Sequence, residues 1–203
     1  MTTNMTPADQ LAKNAAANKA LAIKEFPNET WINSEKINLY HVEMPKNADE
    51  IIVAMSRLPI NLQEEIDFIK ELKSAVILKK YGASITLIPR IKRSDEKGFK
   101  PGPDAIVNGL FFEFKTVTGR LDKIGARFRE SRIQGNNVYI RIDNPLHTKR
   151  GVLNYLSRFI NNPKYKGGYI GDLILTVETS YGEKTCFLKI SDLKNKKIQG
   201  SRH

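Results

Sequence analysis

Apolar positions along this chain change period several times, and each change marks an expected element. Ile66, Ile69, Leu72, Val76 and Tyr81 recur at helical spacing between Asn61 and Gly82, which predicts an amphipathic helix. Asn61 with Glu64 three residues on is a capping-box analogue at its start, and Gly82 is a stop at its end. Ser84-Ile85-Thr86-Leu87-Ile88 then reads as a strand closed by Pro89, and the charged, Gly/Pro-containing residues 90–102 read as a loop. Asp104 to Lys115 reads as strand, turn, strand, followed by a basic helix from about Arg120 to Ile133 and a strand over Val138 to Asp143. Asn144-Pro145 interrupts the chain. A helix near Gly151 to Asn161 follows, with Val152, Leu156, Phe159 and Ile160 on its apolar face. Two last strands, Leu173 to Val177 and Thr185 to Ile190, flank a turn at Ser180-Tyr181-Gly182.

The first 59 residues are less regular. Residues 1 to about 25 are rich in Ala, Asn and Lys, with Thr6-Pro7-Ala8-Asp9 as a helix start, and read as a helical or loose lead-in rather than core. Alternation at Ile37, Leu39 and His41 and the run Ile51 to Met55 predict strands. The order helix, strand, strand, strand, helix, strand indicates an α/β fold around a mixed sheet. The expected division is 1–59 as lead-in and accessory segment, 60–190 as the main domain and 191–203 as a basic tail.

Composition narrows the classes. The 203 residues carry 33 Lys+Arg against 22 Asp+Glu, a formal charge of +11, which suits a polyanionic partner because each phosphate contact releases counterions. From Lys189 to His203 five cations stand against Asp192, so the tail supplies +4 and the remainder +7. No apolar run is long enough to span a bilayer, and the N-terminal residues do not read as a secretory signal. We therefore expect no membrane association and a cytoplasmic site of action. With Cys186 as the single cysteine, an internal disulfide and a cysteine-built zinc site are excluded. The histidines His41, His147 and His203 are scattered and support no histidine-metal or two-histidine ribonuclease motif. Gly168-Tyr169-Ile170-Gly171 reads as a turn.

Candidate chemistry concentrates in one hairpin. Asn108-Gly109 is a strong two-residue turn signal, because both residues tolerate φ > 0. That turn would pair Val107 with Leu110, Ile106 with Phe111, Ala105 with Phe112 and Asp104 with Glu113. Opposed carboxylates repel, and Lys115, two residues beyond Glu113, would lie on the same face as a compensating cation. Two carboxylates beside a lysine form an oxygen-lined site suited to Mg²⁺ or Mn²⁺ and a phosphate. Glu71 stands on the helix stripe of Phe68, Ala75 and Leu78, where it either joins this group or snorkels to solvent. After the hairpin, Arg120, Lys123, Arg127 and Arg132 form a cationic row suited to phosphate contacts, while Leu121, Ile124 and Phe128 can pack on the sheet.

Pro103-Asp104 followed by Glu113-Phe114-Lys115 after a short apolar hairpin resembles the PD-(D/E)XK nuclease superfamily. The runs ELKSAVILKKYGASITLIPR, GPDAIVNGLFFEFKTV and RESRIQGNNVYIRID are most similar to the C-terminal tRNA nuclease domain of contact-dependent growth-inhibition toxins. The resemblance covers Glu71 to Asp143, roughly a third of the chain. It implies a restriction-endonuclease-like α-β-β-β-α-β core, with Asp104 and Glu113 as metal ligands, Lys115 as catalytic lysine and Glu71 as the helix carboxylate. It also implies hydrolysis of RNA, commonly tRNA, and a cognate immunity protein. Free-standing relatives of the fold occur in phages and mobile elements. The rival expectations are a non-catalytic nucleic-acid-binding module of such an element, and a DNA endonuclease.

Overall fold

The computed structural model describes residues 6–46, 48, 51–90, 92–95, 98–134, 137–162 and 171–195, with backbone alone over 92–95, 98–101, 131–134 and 195. In chain order the elements are α1 (Pro7–Glu25), β1 (Trp31–Asn33), β2 (Ile52–Ala54), α2 (Leu62–Lys80), β3 (Ile85–Leu87), β4 (Lys92–Asp95) and β5 (Gly98–Pro101). There follow β6 (Ala105–Val107), β7 (Leu110–Val117), α3 (Leu121–Gln134), β8 (Asn137–Ile142), α4 (Lys149–Asn161), β9 (Asp172–Thr179), β10 (Gly182–Lys189) and α5 (Ile190–Asn195). Single 3₁₀ turns lie at Ser34–Lys36 and Met55–Arg57. The chain divides into two units, Met1–Phe112 and Glu113–His203. Each is α/β with a mixed sheet. The Gly168-Tyr169-Ile170 turn and His203 lie outside the described residues.

In the first unit the strand order is β1-β2-β3-β6-β7. β2 and β3 run parallel and the other neighbours antiparallel. The expected capping of α2 is present: Asn61 accepts from the Glu64 amide at 3.0 Å, and the Glu64 carboxylate accepts from the Ile60 amide at 3.2 Å. At the other end Gly82 takes φ +79°, and Ala83 and Gly82 donate to the carbonyls of Leu78 and Lys79. The face of α2 bearing Phe68, Leu72, Ala75 and Leu78 is fully buried.

The hairpin also forms as expected. Asn108 (φ +50°) and Gly109 (φ +83°) make the turn, and Val107↔Leu110, Ile106↔Phe111 and Ala105↔Phe112 are in register. The fourth expected pair, Asp104 opposite Glu113, has no place in that ladder. The Asp104 amide donates to the Phe112 carbonyl at 2.9 Å while Ala105 pairs with the same residue. Asp104 and Ala105 thus share one partner, a bulge that re-aims the residue before the strand.

Three other expectations are corrected in this unit. The lead-in is core-forming: α1 starts at a Thr6–Asp9 capping box and buries Ala22 with Ile88 and Ile106. Its Asn18 is 1% exposed and clamps the hairpin. The side-chain amide donates to the Ile106 carbonyl (3.3 Å) and to Ser84 Oγ (3.2 Å), and its oxygen accepts from the Gly109 amide (2.6 Å). Ile37 to His41 forms no strand, because the 3₁₀ turn at Ser34 breaks the alternation and Glu65 captures the amides of Tyr40 and His41 at 3.1 and 2.9 Å. The expected loop over 90–102 contains a two-stranded ladder, Lys92↔Pro101 to Asp95↔Gly98. Its backbone bonds are made whatever the side-chain polarity, so the charge of the segment concealed it.

In the second unit the order is β7-β8-β9-β10, with β8 and β9 parallel and β9 and β10 antiparallel. Val138, Ile140, Ile142, Leu173, Leu175 and Val177 build its core with Ile124 and Phe128 of α3 and Val152, Leu156 and Phe159 of α4. Phe159 meets Phe128 edge-on at 6.4 Å and stacks with Tyr155 at 6.3 Å. Gly125 of α3 faces these rings: a methyl group there would stand 2.7 Å from Phe159 Cε2 and 2.8 Å from the Tyr155 hydroxyl. In an isolated helix Gly→Ala stabilises by about 1 kcal/mol. Here we expect Gly125→Ala to cost about 1–3 kcal/mol, since a packed interface cannot absorb the methyl without moving rings. Urea unfolding followed by far-UV CD measures it, and a midpoint above wild type would show that the α3–α4 interface yields.

Candidate active site

The first unit gathers two of the expected site carboxylates around a cation that the sequence reading missed. Arg57, in the 3₁₀ turn after β2, is 1% exposed. Its Nε donates to Glu71 Oε2 at 2.9 Å, its Nη1 to the Ile88 carbonyl at 2.6 Å and its Nη2 to Asp104 Oδ1 at 2.8 Å. Nη2 also lies 2.8 Å from Glu71 Oε1. The planar guanidinium grips Glu71 with two nitrogens while bridging to Asp104, a geometry that lysine cannot reproduce. Glu71 is therefore aimed into the unit rather than snorkelling, with 17% of its side chain exposed. Asp104 keeps 20%.

The electrostatics of this cluster are mutual. Burial works against the Arg57 charge, but Glu71 and Asp104 outweigh it and leave the guanidinium still more basic than usual. Burial pushes the Glu71 carboxyl up, Arg57 pulls it down, and Asp104 raises it again, for a net rise. Asp104 thus makes Glu71 easier to protonate, as expected for two carboxylates sharing one cation.

Glu65, one turn before Phe68 on α2, reads from sequence as a helix-dipole partner, yet it is 2% exposed. Burial raises its pKa, but the amides of Tyr40 and His41 and the His41 imidazole (Nδ1 to Oε1, 3.2 Å) more than offset this and hold it below the ordinary range. Glu65 ties the loop after β1 to the helix. Nothing in its spacing separates it from Glu64, which caps the helix instead.

In the second unit Glu113, 3% exposed, forms an ion pair with Lys115 on the same face of β7, as a two-residue spacing requires. Phe114 between them points the other way and meets Tyr139 edge-on at 5.0 Å. The expected phosphate row on α3 is partly neutralised by its own helix. Arg120 lies 3.4 Å from Asp122, and Arg127 lies 2.7 Å from Glu130. Lys123 is exposed, and the Arg132 side chain lies outside the described residues. Arg129 turns back over the Phe159 ring at 5.7 Å. On β8, Arg141 is 6% exposed and pairs with Glu178 (2.6 Å) and Asp143 (3.2 Å). Burial and then Asp143 raise the Glu178 carboxyl, against the pull of Arg141.

Among the described residues no three or more of His, Cys, Asp and Glu stand together as a ready metal cage. The candidate ligands are carboxylate oxygens, the donor type that Mg²⁺ and Mn²⁺ accept. Mg²⁺ commonly takes one or two such groups and completes its shell with water and substrate phosphate. Among the described residues no helix is long and apolar enough to cross a membrane. No family profile, curated protein or solved structure matches this chain.

Proposed function

We propose that this chain is a metal-dependent endonuclease of the PD-(D/E)XK kind that hydrolyses phosphodiester bonds, with tRNA as the favoured substrate. The observation that carries the reading is the meeting of Glu71 and Asp104, 33 positions apart in the chain, on one buried guanidinium. Both carboxylates are those that the resemblance assigns to the site. Asp104 and Glu113 would hold Mg²⁺ or Mn²⁺, which when bound polarises a phosphoryl oxygen and acidifies the attacking water. Lys115 offsets the negative charge that builds on the phosphorus centre. Glu71 shares Arg57 with Asp104 and fixes its orientation. Arg120, Lys123, Arg127 and Arg132 are the first candidates for the substrate backbone. A cognate immunity protein belongs to the same reading, because a cell making such an enzyme must protect its own RNA.

A second reading is favoured by Arg57 itself. A guanidinium that satisfies both carboxylates holds the cluster together without a metal, as suits a non-catalytic nucleic-acid-binding module. Incubation with total RNA and with plasmid DNA, in Mg²⁺ or in EDTA, separates the two on a denaturing gel. The nuclease reading expects RNA fragments in Mg²⁺ alone. Intact RNA and DNA in both buffers would leave the binding module standing. Cleavage of DNA instead would reassign the substrate, and RNA cleavage in EDTA would indicate a metal-independent ribonuclease of the Glu/Arg type.

A further inference from the structure

The second unit has a cleft of about 1180 Å³ between the start of α4 and the β9–β10 turn. Lys149, Arg150 and Lys184 line it together with His147 and Tyr181, and no Asp or Glu is among its described lining residues. None of the three cations makes an ion pair among the described residues, unlike Arg120, just before α3, and Arg127 on it, which pair with Asp122 and Glu130. Among the described residues no acid takes up their charge, which is thus open to a ligand. Tyr181 is 94% exposed at the tip of the turn. Thr179 Oγ1 holds that turn, accepting from the Tyr181 amide at 3.3 Å and donating to the Gly182 carbonyl at 2.7 Å. A large aromatic ring in water, presented by an ordered turn beside three cations, has no role in the core of this unit.

We infer that this cleft is a second nucleic-acid contact surface, with Lys149, Arg150 and Lys184 on the phosphates of a single-stranded segment and Tyr181 stacked on one of its bases. The pairing of cations with an aromatic platform is how single strands are held without sequence preference. An acidic peptide would use the cations and leave Tyr181 idle. The assignment goes beyond the hydrolytic reading and stands without it, since binding is measured with no metal present.

The test uses the full chain in EDTA and fluorescein-labelled oligouridine and oligothymidine of about 20 nucleotides, long enough to exceed the cleft. Anisotropy is followed over about 0.05–0.2 M KCl. Removing three single-strand phosphate contacts (Lys149→Ala, Arg150→Ala and Lys184→Ala together) is expected to lower the salt slope by about 2 and affinity near 0.1 M salt by roughly 100-fold. Tyr181→Ala should weaken binding by about tenfold and leave the slope unchanged, because stacking releases no counterions. All four side chains lie at the surface of the cleft, and unchanged thermal unfolding confirms that the variants fold. Binding of both oligonucleotides assigns the surface to the shared phosphate backbone, and binding of oligouridine alone assigns it to RNA. The inference is overturned if the cleft variant keeps the wild-type slope, or if Arg120→Ala/Lys123→Ala/Arg127→Ala alone removes all salt-dependent binding. It is equally overturned if labelled polyglutamate binds as tightly as the oligonucleotides and is insensitive to Tyr181→Ala. A gel without cleavage products touches none of these outcomes.

Discussion

Replacing Arg57 by alanine is expected to destabilise the first unit by about 3–5 kcal/mol, because removing one partner of a buried ion cluster leaves uncompensated charge. The two carboxylates and the Ile88 carbonyl that the guanidinium serves would lose this donor together. Arg57→Lys rescues only part of the loss, since a single ammonium cannot grip Glu71 with two nitrogens and still reach Asp104. The double variant Arg57→Met/Glu71→Gln should be more stable than Arg57→Met alone, as one of the stranded charges has gone. Urea unfolding of the four variants beside the wild type reads all of this. If Arg57→Ala unfolds within about 1 kcal/mol of wild type, the level of an ordinary surface change, the cluster is incidental to the fold.

The second large effect concerns turnover. On the nuclease reading, Asp104→Asn keeps an oxygen for Arg57 Nη2 while removing the charge of the proposed ligand, so the fold survives and cleavage should fall below detection. Nucleic-acid binding should hold or tighten, because a negative charge leaves a phosphate site. Glu113→Gln should behave alike. Lys115→Ala is expected to lower the cleavage rate by about 10²–10³-fold, the scale of losing one charge-stabilising donor in a transition state, with a much smaller change in affinity. Single-turnover cleavage of labelled tRNA beside anisotropy in EDTA separates rate from binding. Asp104→Asn cutting at the wild-type rate would remove the carboxylate from the chemistry.

Local signals were legible where short-range physics decides. The α2 caps and the Asn108-Gly109 turn rest on neighbours within five residues, and both form as read. The bulge at Asp104 was not legible, because one added residue in a ladder leaves no mark on an alternating pattern. Arg57 was missed for a related reason. It follows the apolar run Ile51 to Met55 as an ordinary loop cation, and only the tertiary arrangement brings it to Glu71 and Asp104. Glu65 looks like any acid in a first helical turn until a distant loop presents two amides to it. In α1 the small residues that let the helix approach the hairpin closely, among them Ala17 at 3.2 Å from a methyl placed on Gly109, are the same ones that make its sequence read as unspecific.

The Asn18 clamp also sets an order of events during synthesis. Its acceptor role is completed by the amide of Gly109, 91 residues downstream, so α1 leaves the ribosome well before the hairpin it docks on and cannot dock until the hairpin has followed it out. Until then the flank carrying Ala22 has no sheet to cover it, and the helix lacks the tertiary packing from which most helical stability comes. Closure across so long a stretch of chain is a slow, non-local step. The interval in which this flank is uncovered is when a nascent chain is most open to aggregation or to a chaperone.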